Sequence, residues 1–193
     1  MLFRIKIKTM LLLLALSTLL VFTSRAQAKY HSKDDLNIVV SGTSSLHDWD
    51  MKTSKGESNA TVVLGSSGQL IGLTALNFTV PAESLKSEHK SMDKNAYKTM
   101  KTDKNASISY NLKSATVAPD GSIKCQGTLS IAGTTLDAGL NAIARVNADK
   151  TISVQGSKKI SMKEYNMAPP TFMMGTIKTG NDVTVQFNLI LRK

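Results

Sequence analysis

Ser41-Gly42-Thr43-Ser44-Ser45-Leu46-His47-Asp48-Trp49-Asp50-Met51 is the stretch whose reading decides the fold. It follows the alternating run Leu36, Ile38, Val40 and leads into Trp49 and Met51, so two short strand patterns flank a small polar turn. The turn holds one of three histidines and runs into the only tryptophan. The stretch reads as a first strand, a tight connection and the start of a second strand in an antiparallel all-β domain. Trp49 then anchors one end of the interior.

Strand patterns continue outward from it. Ala60-Thr61-Val62-Val63-Leu64 ends at the turn Gly65-Ser66-Ser67-Gly68. From Gln69 to Val80 apolar residues fall on both faces around Gly72, which predicts a strand covered on both sides or bent at the glycine, closed by Pro81. Ile108, Tyr110 and Leu112 alternate, as do Ile123, Cys125, Leu129 and Ile131, with Gly127 marking a bend. Leu136, Ala138, Leu140, Ala142, Ala144 and Val146 form an inward face made mostly of alanine, which leaves room inside a barrel. Ile152, Val154, Ile160 and Met162 follow. Gly180-Asn181-Asp182 then turns into the cleanest strand, Val183, Val185, Phe187, Leu189 and Leu191 inward. A single eight-stranded antiparallel β-barrel accounts for the pattern.

One helical connection interrupts the strands. Met92, Ala96 and Met100, with Tyr97 alongside, recur at helical spacing, so a helix is expected over about 91–101 with Ser91 as its N-cap. Its methionine stripe suits a cover over one barrel end, because methionines conform to varied apolar shapes. A second cover is the loop between Met162 and Gly180, with Tyr165, Met167, Pro169, Pro170, Phe172, Met173 and Met174. So many apolar side chains on a loop should cover something.

The N-terminus reads as a targeting segment. Arg4, Lys6 and Lys8 precede an apolar run from Met10 to Phe22, and Ala26-Gln27-Ala28 supplies the small residues of a cleavage site. Residues 1–28 are therefore expected to be a signal peptide and 29–193 the mature domain, starting at Lys29, periplasmic or secreted. The lead from Lys29 to Asp35 is polar and carries no strand pattern. The chain's formal net charge is +10, and the leader holds Arg4, Lys6, Lys8 and Arg25 without an acid, so the remainder stays moderately basic. The lysines are scattered, which fits an ordinary solvated surface.

Cys125 is the only cysteine, so no intrachain disulfide exists and the core alone stabilises the domain. Its phase with Ile123 and Leu129 makes it a small buried apolar residue. Few aromatics argue against a stacking platform for nucleic acid. Ser44 or Ser45, His47 and Asp48 do not make a triad, because neighbouring strand residues point to opposite faces. His31, His47 and His89 lack ligand spacing, Asp137 lies on an outward phase, and no glycine-rich phosphate loop precedes a helix. No catalytic residue, metal site or cofactor is expected.

The Gly42-Thr43-Ser44-Ser45-Leu46-His47-Asp48-Trp49 wording resembles the start of a YceI-like domain, the lipocalin-shaped, polyisoprenoid-binding family of bacterial envelopes. Met92 to Lys101 is similar to that family's short helical connection, Gly127 to Thr135 to its central hairpin, and Met162 to Pro170 to its late loop. The resemblance implies a lipocalin-like barrel holding a polyisoprenoid or related amphiphilic lipid in an elongated cavity. Carried onto this chain, it implies a lining of Trp49, Met51, Phe78, Tyr97, Met100, Tyr110, Phe172 and Met173.

The expectation is an exported, non-enzymatic lipid-binding protein. Strands of about ten residues tilted by roughly 40° make a barrel about 25 Å high, long enough for several isoprene units. Burying some 500 Å² of such a tail gives on the order of 12 kcal/mol gross, before association costs. The first alternative is a solidly packed envelope structural or stress protein acting through its surface. An enzyme using the same cavity is the second. Peripheral contact with a membrane and a homodimer both stay open, as do the identity of the headgroup and the choice between transport, storage and sensing.

Overall fold

The computed structural model describes residues 26–193, so the expected leader up to Arg25 lies outside the described residues. In chain order the elements are β1 Ala26–Lys33, β2 Leu36–Ser44, β3 Trp49–Thr53, β4 Glu57–Leu64, β5 Leu70–Pro81, α1 Lys90–Met100, β6 Ser107–Val117, β7 Ser122–Ile131, β8 Thr134–Val146, β9 Ile152–Ser161, β10 Thr171–Phe172 and β11 Ile177–Leu191. The strands form one antiparallel sheet in the order β1-β4-β5-β6-β7-β8-β9-β11-β2-β3, with β10 attached to β11. The sheet curls into a barrel. A backbone bridge between His31 and Arg192, 2.7 Å in both directions, draws β1 against the end of β11. The Tyr30 hydroxyl donates to the Lys150 carbonyl at 3.0 Å and pins β1 to the β8–β9 turn.

The class is the expected all-β barrel with one short helix, but the sheet has eleven strands rather than eight: each of the nine runs read from sequence is a strand of its own, and two more join them. One addition is β1, where a polar lead without strand pattern is expected from sequence. Ala28, Tyr30 and Ser32 are buried while Gln27, Lys29, His31 and Lys33 are exposed, so the alternation is present. It is weak in sequence because Tyr30 is its one large apolar residue. β1 pairs along β4 from Ala26↔Leu64 to Lys33↔Glu57, so it runs through the expected cleavage site. The second addition is β10, a two-residue hairpin arm within the late loop.

β5 explains its own irregular pattern. Its pairing with β4 slips between Thr61/Val62 and between Val63/Leu64, leaving Thr74 and Ile71 as extra residues. Each bulge shifts the inward phase by one, so Leu70, Leu73, Leu76, Phe78 and Val80 all face the interior. Ile71 is left outside, 39% exposed. Opposite Gly127, the extra residue is on β6 at Lys113, where the register slips between Leu112 and Ser114. Gly180-Asn181-Asp182 is not a turn but a bulge inside β11, which starts earlier than expected, at Ile177. The Asn181 amide fixes that bulge, its Nδ2 donating to Ser161 Oγ at 2.9 Å and its Oδ1 accepting from the Lys163 N–H at 3.1 Å.

Two cavities in the barrel

Helix α1 lies across one end of the barrel and sets the first cavity. It begins at Lys90, with His89 in the N-cap position and no capping side chain, so the expected Ser91 cap is absent. The first turn is held from inside the helix instead. Asp93 is buried, and its Oδ1 accepts from both the N–H and the Oγ of Ser87 at 2.7 Å. A carboxylate in a first turn also complements the positive end of the helix dipole.

Met92, Ala96 and Met100 face a chamber of about 300 Å³ at the barrel mouth. Trp49, Met51 and Ile160 close its barrel side, and Met162, Met167 and Phe172 from the late loop close the rest. Leu46, His47 and His89 mark where it reaches the surface; Leu46 is 65% exposed.

A second chamber of about 180 Å³ occupies the barrel interior. Phe78, Tyr110, Leu129, Phe187 and Leu189 line it, together with Leu140, Ala142 and Ala144 of the small-residue wall on β8. Val40, Leu85, Ile108, Ile131, Ile160 and Val185 line both chambers. The two cavities therefore adjoin across a shared apolar waist, set in series along a path from the mouth to the β8 wall.

Polar side chains gather at the mouth, where Ser44, His47, His89, Asn95, Thr99 and Thr179 join the lining, and few reach the inner chamber. Ser58 is 1% exposed, and its Oγ has no hydrogen-bond partner among the described residues. A buried unpaired hydroxyl costs free energy unless something bonds it. Tyr110 is 2% exposed; its hydroxyl donates to the Ala138 carbonyl at 3.3 Å, and burial pushes its pKa up to about 12, with Cys125 a smaller contributor. Burial likewise raises the Cys125 thiol, as expected for a core cysteine. Lys158 also lines the inner chamber, one residue past Asn141↔Ser157, the last pair where β8 and β9 part.

Six of the eight expected lining residues fall on the path. Trp49, Met51, Met100 and Phe172 line the mouth chamber, and Phe78 and Tyr110 the inner one. Tyr97 and Met173 do not. The Tyr97 hydroxyl turns away from the cavity to the connection before α1, 2.8 Å from the Leu85 carbonyl and 2.9 Å from that of Glu83, and accepts from Lys86 Nζ at 2.5 Å. That hydrogen bond is the main reason the Lys86 pKa is raised. Met173 sits on a tight turn with φ 48° and is 74% exposed, beside Met174 at 106%. Those two methionines correct the expectation that the whole loop covers something.

Sequence reasoning missed Ser58 and Lys158, although phase alone would have found them. Ser58 shares the face of Ala60 and Val62, and Lys158 that of Val154 and Ile160. The Ser44, His47 and Asp48 cluster is a backbone-bonded turn: Ser44 Oγ donates to the His47 carbonyl at 2.7 Å, and His47 Nδ1 lies 2.7 Å from the Asp48 carbonyl. Among the described residues, no three His, Cys, Asp or Glu side chains are grouped to hold a metal.

Solved structures share this architecture. BcnA of Burkholderia cenocepacia superposes with a TM-score of 0.66 at 11% identity, covering 82% of this chain and 96% of that one. A polyisoprenoid binding domain from Saccharophagus degradans, implicated in plant cell wall breakdown, gives 0.58 at 14% identity over 86% and 99%. The Campylobacter jejuni YceI protein gives 0.56 at 19% identity over 70% and 81%. At these identities the likeness is one of fold. No curated protein matches the chain significantly. The sequence profile of the YceI-like domain, however, matches residues 24–191, nearly the full length of the barrel, and the chain belongs to the YceI-like family.

Proposed function

We propose that this protein holds an isoprenoid-tailed or similar amphiphilic lipid in the two-chamber path, as a carrier or store and without covalent chemistry. The observation that carries the reading is the shared waist, which sets two apolar cavities end to end. Such a site suits a long flexible tail, whose affinity comes from apolar area removed from water. The polyisoprenoid-binding description of the Saccharophagus neighbour supports the same ligand class. Polar side chains at the mouth chamber, His47, Asn95 and Thr99 among them, are placed to meet the polar end, while the almost wholly apolar inner chamber suits the tail.

The preformed chambers weigh against a solidly packed barrel acting through its surface alone. The leader reading supports export, so the setting proposed is the periplasm or the medium, with the mature chain starting at Lys29. Trp49, the only tryptophan, lines the mouth, so its emission reports occupancy. Titration with a polyprenyl phosphate should give a saturable spectral change at one lipid per chain. No saturable response to polyprenyl phosphates, quinones or long-chain fatty acids would overturn the proposal.

A further inference from the structure

The end of the barrel that carries the mouth bears two surface features that the interior does not use. The first is the tip of the late loop. Met173, Met174 and Gly175 take successive positive φ angles of 48°, 58° and 91°, which hold both methionine side chains in solvent. Met174 is 106% exposed. The residue before them, Phe172, lines the mouth chamber, and so does Leu46, itself 65% exposed. The exposed apolar rim is therefore continuous with the cavity lining.

The second is the outer face of α1. Lys90, Lys94, Lys98 and Lys101 recur at three- and four-residue spacing and are all exposed, while Met92, Ala96 and Met100 face the chamber. Lys101 Nζ reaches the late loop, 3.3 Å from the Asn166 carbonyl, so the lysine row and the methionine tip are tied to one another. Asp48, Asp50, Glu88 and Asp182 line a groove by the helix's N-terminal end that takes in none of these lysines, and at the other end Glu83 accepts from the Thr102 hydroxyl and Asp103 lies just past Lys101.

We infer that this end docks on a bilayer containing anionic lipid, with Met173 and Met174 entering the interface and the α1 lysines meeting the headgroups. An exposed apolar tip beside a basic helix face is the arrangement by which peripheral proteins combine apolar insertion with charge attraction. A folded soluble partner would gain from the apolar rim but would not need the lysine row. Docking here sets the mouth chamber against the membrane, so a lipid tail passes between the bilayer and the cavity without crossing water.

The test is co-sedimentation of the purified protein with vesicles of phosphatidylcholine alone or mixed with phosphatidylglycerol. Met174→Asp and the double change Lys94→Glu with Lys98→Glu are the variants, since all three side chains are exposed and line neither chamber. The expected result is binding only to the anionic vesicles, weakened at least tenfold by either variant. Uptake of a polyprenyl phosphate from detergent stays as in the unchanged protein. Equal binding to both vesicle types, variants that bind like the parent, or no vesicle binding overturns the docking surface. Retained uptake in those cases leaves the lipid-holding role standing, whereas loss of uptake in the parent protein itself counts against that role instead. Self-association of the parent, abolished by Met174→Asp and without vesicle binding, would assign the tip to a second copy of the chain and also overturn it.

Discussion

Trp49 lies directly over Gly42, its cross-strand partner, so closely that a methyl group on Gly42 would sit 2.2 Å from the indole Cζ2. The indole Nε1 donates to the Thr43 carbonyl at 3.0 Å, so the ring is fixed by a hydrogen bond as well as by contact. The missing side chain thus makes the seat of the ring that closes the mouth chamber. Gly42→Ala forces the ring off that seat. Overpacking of this kind costs about 1–3 kcal/mol, and the lost hydrogen bond adds about 1 kcal/mol. Denaturant unfolding should show a lower midpoint, and tryptophan emission should shift to the red.

Ala142 lines the inner chamber on the small-residue wall. Ala142→Leu fills that space with methyl and methylene groups. The expected outcome separates stability from capacity: the unfolding midpoint holds or rises, while affinity for a long-chain lipid falls at least tenfold. Calorimetric titration and thermal unfolding measure the two. A loss of stability with unchanged lipid affinity would mean that the space is not used.

The Asp93 tie governs the cover. Removing a buried acceptor leaves the Ser87 N–H and Oγ without their partner, a loss of about 1–3 kcal/mol. Asp93→Ala should therefore loosen α1 before it unfolds the barrel. Hydrogen exchange is expected to rise in residues 87–101 with β6 to β9 protected, and bound lipid should leave faster in stopped-flow displacement.

Tyr110 predicts the alkaline limit. Its folded pKa of about 12 lies above the ordinary 10.0, so the neutral form is favoured in the folded state. The stabilisation is complete below pH 10, where both states are protonated. It is lost as pH rises from there through the folded pKa, because the unfolded chain releases the proton first. Stability measured between pH 10 and 12 should fall more steeply in the parent than in Tyr110→Phe. Equal slopes would mean that Tyr110 is not desolvated.

Much of this was legible in sequence because alternation and burial go together. Val183 to Leu191 reads inward and outward along β11, and Leu136 to Val146 gives the small wall that the inner chamber uses. What failed did so for local reasons. β1 was hidden because Ser32 occupies an inward position where an apolar residue was sought. β5 was ambiguous because two bulges shift a period of two, and no sequence pattern shows which residue is extruded. Tyr97 shares the helical stripe with Met100, yet its hydroxyl needs polar partners and finds them in the Glu83 to Lys86 connection. Met173 and Met174 look like loop cover, and only their left-handed backbone turns them outward.

Native mass spectrometry with organic extraction, on protein purified without added detergent from the cells that make it, tests the central claim most directly. The expected result is one long-chain apolar molecule per barrel, lost on extraction and regained on adding a polyprenyl phosphate, with Ala142→Leu carrying less. An empty protein that takes up neither polyprenyl phosphates nor quinones would contradict the claim, and the two chambers would then be packing voids rather than a lipid site.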